Sequence, residues 1–495
     1  MTHASADRVQ TLRTRLRPGK RVLIVGAGIS GLSAAYLLKQ SCPEAELCVI
    51  DRAPRAGGVI QSERTREGLL LETGPDSLVT WKPEAMSLLG QLGLDQRTVV
   101  GAERRSWVKL RDRFAPMPDG LQGTLPPSPS AVLRGSLFSY AGKLRMACEP
   151  CVPARRDGLE ESVQDFVTRR FGAEALDRLV APLLGGIYAC DPAELSARAV
   201  LGSYVAQEHE YGSIARAMAH QRRAPRQPGA STRPPVISLD DGMALLTSRL
   251  CEELGGVLQL GTAAAQLSRD RRGQLRVTTE RGHSLAADAV ILACPPGEAS
   301  RLLRPLAPEA ASELGAIDSS SVLHVQLAWP ADACPSALKA SGYVVAPSAG
   351  GALKACTFSS RKWPNRAPSS QITFRCFMRD TELDDAHAVH LAVSSLQSDL
   401  QLSAAPSFVH VTRLPAVLPR YRVGHLERVQ RIASLLAATP EIQLAGNAYL
   451  GPGIPDCIRS AQRAVAPILH ALREQCHGHC SARELCGTGT EDSLV

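Results

Sequence analysis

The chain has 495 residues, 44% hydrophobic and 21% charged, with 40 glycines and 34 prolines; this is the composition of a folded globular protein of roughly two to four domains and excludes a disordered, collagenous or coiled-coil polymer. Lysine and arginine number 56 against 48 aspartates and glutamates, a net +8 spread along the chain with 4% aromatic residues, which excludes a dedicated nucleic-acid surface of clustered cations and stacking rings. No run reaches the ~18 uncharged apolar residues that a membrane-spanning helix needs.

In chain order, residues 1–20 read as a basic tail (Arg8, Arg13, Arg15, Arg17 and Lys20 beside a lone Asp7) with the charge of a transit peptide or of a solvated end. Val22 to Val25 is a short β-rich run, followed by Gly26-Ala-Gly-Ile-Ser-Gly31 and then a helical pattern through Leu32, Ala34, Ala35, Leu37 and Leu38. A second strand, Glu46 to Ile50, ends at Asp51. Residues 86–220 read mostly helical, broken by the extended Pro126-Pro-Ser-Pro129; 222–235, rich in arginine and proline, reads as a surface loop. Further strands are expected over 255–267 and 286–293, then over 322–329, 342–346, 355–359, 371–378 and 408–414. A last strand, 442–445, leads through Gly446 and a Pro/Gly turn into a helix from Asp456.

Strand, glycine turn, helix and a second strand closed by an acid make a complete βαβ unit. In it Gly26 permits the tight turn, Gly28 lets backbone approach a pyrophosphate, and Gly31 lets the helix sit close to the sheet; Ile29 and Ser30 open the helix, whose free N–H groups favour an anion. Asp51 is placed to accept from ribose hydroxyls. Directly after it come Arg52, Arg55, Gly57 and Gly58, arginines that suit phosphate and a glycine pair that lets backbone run against a flat ring. This arrangement resembles the flavin amine oxidase superfamily, whose members hold FAD in this way. The chain carries one dinucleotide fingerprint, whereas flavoprotein reductases fed by NAD(P)H commonly carry a second; electrons are therefore expected to pass from an organic substrate through FAD to dioxygen or a quinone.

Four further blocks narrow the resemblance: Leu71-Glu-Thr-Gly-Pro-Asp-Ser77, Gly185-Gly-Ile-Tyr-Ala-Cys-Asp-Pro-Ala-Glu-Leu-Ser196, Tyr421-Arg-Val-Gly-His425 and Gly446-Asn-Ala-Tyr-Leu-Gly-Pro-Gly-Ile-Pro-Asp-Cys-Ile458. In order and spacing, from about Arg21 to Leu469, they are similar to the protoporphyrinogen IX oxidase family. That resemblance implies an α/β protein: a Rossmann-like FAD-binding domain with a doubly wound sheet (21–95, 236–300 and 415–474), an interleaved mixed-sheet substrate domain (96–125 and 301–414) and a helical membrane-associated domain (126–221), with tails at 1–20 and 475–495. It implies oxidation of protoporphyrinogen IX to protoporphyrin IX in haem biosynthesis, six electrons in three hydride transfers to flavin, with dioxygen reduced to hydrogen peroxide and no side-chain catalyst.

The same resemblance assigns FAD contacts to Gly74, Pro75, Asp76, Ala264, Gly446, Gly453, Ile454 and Pro455 beside the fingerprint residues, the start of the last helix facing the flavin pyrimidine edge. For the substrate it implies Arg105 against a propionate, with Arg104 as the alternative, Gly186 near the macrocycle, and Val345, Thr357 and Phe377 as its walls. Thr357 departs from the family's usual leucine and Cys190 from a glycine. His324 and His425 read as structural histidines. The cysteines read as reduced thiols of a cytosolic, stromal or matrix compartment; no metal is expected, including at Cys148/Cys151 or in the set Cys476, His477, His479, Cys480 and Cys486. Peripheral contact with a membrane is implied, through the basic amphipathic stretch from Ser128 to Cys151, at the mitochondrial inner membrane in a eukaryote or the cytoplasmic membrane face in a bacterium; a homodimer is left open and nucleic acid is not a partner. Three rivals stand: coproporphyrinogen III oxidation, amine oxidation, for which Tyr449 supplies one of the paired aromatics, and a carrier without turnover.

Overall fold

The computed structural model describes residues 19–103, 105–118, 135–223, 234–335 and 338–477. The basic tail, Arg104, the 126–129 prolines, most of the 222–235 loop and the Cys/His set after residue 477 lie outside them. The chain divides into two compact units, one formed from 1–58, 247–315 and 431–495, the other from 59–246 and 316–430.

The first unit is built on a five-stranded parallel sheet in the order Leu258–Gln259, Glu46–Ile50, Arg21–Val25, Ala289–Leu292, Ile442–Leu444. Val22 to Val25 and all of Ala289–Leu292 are buried, as the inner strands of a parallel sheet covered on both faces must be. One cover is the helix Ile29–Ser41, whose residues are apolar nearly all round and mostly buried. It packs with the long helix Ile454–His477. A separate antiparallel meander runs Ala264–Arg269, Leu275–Thr279, Ser284–Ala287.

Two expected strands are corrected here. The run 286–293 is two strands in different sheets, parted at Asp288, whose carboxylate accepts from the Arg21 N–H at 2.9 Å and the Lys20 ammonium at 3.1 Å. The run 255–267 breaks into a 3-10 turn, a two-residue strand and the first meander strand, because glycines 255 and 261 take positive φ.

The second unit holds a seven-stranded mixed sheet in the order Phe408–Pro419, Ser319–Pro330, Gln371–Met378, Leu353–Phe358, Gly342–Val345, Trp107–Lys109, Phe114–Pro116. Alternation sorts its faces. Leu323, Val325, Leu327, Trp329, Ile372, Phe374 and Cys376 form one apolar core with the helix Asp385–Leu400. His324, Gln326, Arg375 and Phe377 point the other way. That helix corrects the expectation of strands alone over 320–413: Asp384 caps it by accepting from the His387 N–H at 2.9 Å, and its buried stripe, Ala388, Ala392, Leu396 and Leu400, is half alanine and so a weak periodic signal.

Residues 92–118 are likewise not helical. They contribute Thr98–Val100, paired with Val236–Leu239, and the last two strands at one side of the large sheet. Helices occupy the rest, Tyr140–Ala147, Val163–Phe171, Ala181–Tyr188, Gly202–Tyr211 and Ile214–Arg223 among them. The basic stretch expected to be amphipathic is helical only over its eight residues from Tyr140 within the described part. Inside this helical region Arg170 and Glu149 are an ion pair, 0% and 1% exposed; the same carboxylate caps the helix from Ile214, accepting from the Ile214 and Ala215 N–H groups at 3.0 and 3.1 Å.

Candidate active site

In the first unit the glycine turn is built from backbone alone. Gly26 has φ +112°, and a Cβ there would lie 2.3 Å from the Ala293 carbonyl oxygen; one on Gly31 would lie 1.8 Å from that of Gly26. At Gly28 a Cβ would meet nothing within 4 Å, so the turn leaves open space on that side. Helix Ile29–Ser41 begins there with no side-chain cap and no acid in its first turn, and Ile29, Ser30 and Gly31 are all buried. Buried, uncapped N–H groups next to open space are what an anionic pyrophosphate needs.

Asp51 reaches back to the turn: one carboxylate oxygen accepts from the Ala27 N–H at 2.7 Å, the other from the Ala53 N–H at 2.8 Å. Each oxygen keeps a second lone pair for a hydroxyl donor. Gly57 and Gly58, at φ +100° and +59°, return the chain against the turn, the Gly57 N–H donating to the Ala27 carbonyl at 2.8 Å. Arg52 is ion-paired with Glu298 at 2.9 Å. The Ala264 carbonyl accepts from Arg301 at 2.7 Å.

At the chain's other contribution to this unit, Gly446 has φ +150° and donates its N–H to the Ser460 hydroxyl at 3.1 Å. The last helix starts at Ile454, two residues before the expected Asp456, with Pro455 in its first turn. Asp456 is buried, ion-paired with Arg459 at 2.6 Å, and would touch a Cβ on Gly453 at 3.1 Å. Tyr449 is buried with no hydrogen-bond partner for its hydroxyl among the described residues, and burial raises its pKa. An orphaned hydroxyl and a cradle that one side chain would fill both fit a bound cofactor.

Of the assigned cofactor residues, the second unit holds Gly74, Pro75 and Asp76. A Cβ on Gly74 would lie 1.9 Å from the Val59 carbonyl oxygen, so glycine is required there for packing. The Asp76 carboxylate is engaged by Lys362 at 2.9 Å, the Trp363 indole N–H at 3.0 Å and the Ser77 hydroxyl at 2.8 Å. Burial opposes its charge, but Lys362 and Arg375 overcome this and hold the carboxyl well below the usual range. Lys362 and Trp363 carried no sequence signal: a lysine beside a tryptophan 286 residues downstream acquires its partner only through the fold.

The assigned substrate residues do not all share one wall. Thr357 and Phe377 lie on the same face of the large sheet, through the pairs Thr357 with Arg375 and Ala355 with Phe377. Val345 alternates with Val344 and sits with Tyr343 in the apolar core on the opposite face. Arg105 precedes the Trp107 strand; its side chain is 63% exposed beside Glu103, and its carbonyl accepts from the Ser341 N–H at 2.7 Å. Gly186 is exposed, while its neighbour Gly185 lines a cavity of about 410 Å³ with Cys190, Val345, Lys354 and Arg379.

Around Phe377 the sheet carries a cluster that sequence reading had set aside. The Arg375 guanidinium lies 4.8 Å from the Phe377 ring centre, and the buried His324 ring 5.5 Å from it. His324 Nε2 is 2.9 Å from the Thr73 carbonyl oxygen, and burial followed by the Arg375 charge pushes its pKa well down, so the ring is neutral. Period-two alternation of His324 with Gln326 and of Arg375 with Phe377 was the available signal. As expected, His324 is a buried, hydrogen-bonded histidine.

A family model described as flavin containing amine oxidoreductase matches residues 29–469. The chain belongs to that family. Its cofactor is a flavin, and the dinucleotide turn makes it FAD. The chain is 30% identical over 467 residues to a coproporphyrinogen III oxidase of Bacillus subtilis, covering 92% of this chain and 98% of the relative. It is 28% identical to a chloroplastic protoporphyrinogen oxidase of Oryza sativa, over 91% of this chain and 89% of that one. Among solved structures, one from Exiguobacterium sp. 255-15, provisionally labelled protoporphyrinogen oxidase, superposes with a TM-score of 0.78 at 28% identity, covering 91% of this chain and 98% of that one. The resemblance drawn from the sequence blocks and the mixed α/β fold is thus borne out, and the protein is a flavin oxidoreductase.

Proposed function

We propose that the protein is an FAD-dependent porphyrinogen oxidase of haem biosynthesis with dioxygen as electron acceptor. Collinear similarity over nine-tenths of the chain to relatives named for this reaction is the observation that carries it. Bound FAD would supply the two-electron chemistry. The N–H groups of Ile29, Ser30 and Gly31 hold its pyrophosphate, with Gly26, Gly28, Gly57 and Gly58 keeping side chains out of the way. Asp51 takes a ribose hydroxyl while orienting the turn, Arg52 adds positive charge, and Ala264 contacts the adenine by main chain. Gly446, Gly453, Ile454 and Pro455 hold the end nearer the long helix. Gly74 and Pro75 are further positions the family assigns to the flavin, and next to them Asp76 is held by Lys362.

On the substrate side, Phe377 is the platform for the macrocycle, kept in place by Arg375 and the neutral His324, with Thr357 beside it. Arg105, exposed and lightly held by Glu103, remains available to a propionate; Val345 lines the neighbouring cavity, and Gly186 is the exposed neighbour of its lining residue Gly185. Between the two porphyrinogens we place coproporphyrinogen III first, reversing the order the sequence suggested, because relatives at 30% and 32% identity carry that name.

Contact with a membrane surface is part of the same proposal. No helix among the described residues is long and apolar enough to cross a bilayer. On the helix from Tyr140, however, Tyr140 and Leu144 are 91% and 67% exposed one turn apart, with Lys143 between them.

The reaction is tested by mixing the purified yellow protein with each porphyrinogen in aerated buffer and following porphyrin fluorescence. Turnover of coproporphyrinogen III faster than of protoporphyrinogen IX is the expected result. The reverse order restores the first sequence reading, and silence with both removes the oxidase assignment.

A further inference from the structure

Lys354 and Arg379 line the second unit's cavity without a carboxylate partner among the described residues. The Arg379 fork is fixed from behind, Nε donating to the Gly351 carbonyl at 3.1 Å and Nη2 to that of Leu353 at 3.4 Å. Lys354 is half-buried at the irregular end of its strand, and burial followed by the Arg379 charge lowers its pKa. Two acids share the lining, and each is hydrogen-bonded to neutral groups rather than ion-paired with Lys354 or Arg379. Asp177 accepts from the Ser348 N–H and hydroxyl at 2.9 and 2.6 Å, and Asp191 from the Ala193 N–H at 2.9 Å. Cys190 adds no negative charge, because burial and the adjacent Glu194 push its thiol up to about 11.

Two like charges on one partly enclosed lining repel each other, as the lowering of the Lys354 pKa by Arg379 shows, and an anion placed between them relieves that repulsion. An ammonium beside an anchored guanidinium fork is a geometry suited to carboxylates. The cavity is roomy enough for short carboxylate arms at about 410 Å³, and Val345 and Gly185 give it an apolar rim.

We infer that this cavity is a carboxylate subsite that sets substrate choice: Lys354 and Arg379 receive propionates that a tetracarboxylate porphyrinogen carries at positions where a dicarboxylate one has vinyl groups. The inference rests on the porphyrinogen reading above. Chemically, it makes the second cation pair the discriminating element, with Arg105 serving a propionate common to both substrates.

The experiment uses the holoenzyme and the variants Lys354→Met, Arg379→Gln and their double, with Lys354→Arg as the variant that keeps the charge. Fluorescence titration with coproporphyrin III, then with protoporphyrin IX, gives the two dissociation constants, and aerobic turnover of the matching porphyrinogens gives KM and kcat. Expected is a rise of about tenfold or more in the coproporphyrin Kd and coproporphyrinogen KM of the double variant, with protoporphyrin values within about threefold, as loss of charge-assisted bonds predicts. FAD content and kcat should hold, and Lys354→Arg should bind like the parent. Equal weakening of both porphyrins, or of neither, overturns the subsite. Should the double variant lose FAD or fail to fold, the contrast between Lys354→Met and Lys354→Arg decides by the same criterion. A parent protein that binds coproporphyrin through these cations yet oxidises neither porphyrinogen would sink the oxidase reading and leave the subsite standing.

Discussion

The glycine turn of the first unit and the polar sheet face of the second are built by opposite means. At the turn, what matters is backbone: uncapped N–H groups, a carbonyl 1.8 Å from where a side chain on Gly31 would begin, and open space at Gly28. All of it comes from about 30 consecutive residues, so local spacing describes it. On the sheet face the candidate groups are side chains, and His324, Thr357, Arg375 and Phe377 meet only because strands at 319–330, 353–358 and 371–378 pair in one register. A site made by backbone shows itself through the residues that must be absent, whereas one made by side chains depends on pairings that no local motif fixes.

The largest expected effect separates the two glycines that look alike in sequence. Gly31→Ala places a methyl inside the turn, where backbone cannot yield cheaply, and is expected to lower unfolding free energy by about 3 kcal/mol or more, with no yellow protein recovered. Gly28→Val, at φ −74° and with nothing within 4 Å, should fold within about 1 kcal/mol of the parent apoprotein and still be colourless. Flavin absorbance and chemical denaturation measure both. If the two variants behave alike, or if Gly28→Val stays yellow, the backbone account of the turn fails.

Arg170 extends the comparison to side chains that do no chemistry. It is wholly buried with Glu149, and it also donates to the Val152 carbonyl at 2.9 Å. Glu149 in turn caps the helix from Ile214. Arg170→Met should cost about 3–5 kcal/mol, because it strands the buried Glu149 carboxylate, whereas the double variant Arg170→Met with Glu149→Gln should recover part of that loss, Glu208 keeping its bonds to Arg169. Thermal unfolding of the two variants checks it; an equal loss in both would mean that packing, not charge, governs the site.

Much of the first unit could be read before any coordinates. The βαβ run, its acid and both terminal strands stand where apolar runs and turn residues place them, since parallel inner strands are uniformly apolar and self-announcing. What escaped reading has physical causes. Asp288 splits one apolar run between two sheets through hydrogen bonds made 267 residues away. The helix from Asp385 hides its stripe behind alanines. Strands of three residues, Trp107–Lys109 and Phe114–Pro116, are too short to carry a period. For the candidate site the division is the same: the glycine turn and Asp51 form a motif visible in sequence, while the Asp76 latch to Lys362, the opposed faces of Val345 and Phe377, and the Lys354 and Arg379 pair required register.

The smallest expected effect tests whether His324 on the sheet face is as buried and as neutral as its surroundings imply. His324 is buried, and its folded-state pKa lies well below the ordinary 6.5, through burial and then the charge of Arg375. The unfolded chain takes up a proton near that ordinary value, which the folded protein refuses. Stability therefore has no His324 contribution above about pH 6.5 and falls as pH drops below it, by at most about 1.4 kcal/mol per pH unit. Glutamine at this position keeps an N–H donor for the Thr73 carbonyl but cannot titrate, so denaturant unfolding of His324→Gln between pH 5 and 7 should lose that slope while Arg375 and the nearby His410 remain. A slope that survives the substitution would not belong to Asp76 either, because a carboxyl held below the usual range gives up its stabilisation only as pH falls past about 3.8. It would mean instead that another group carries the pH dependence and that His324 takes up its proton in the folded protein as it does in the unfolded chain.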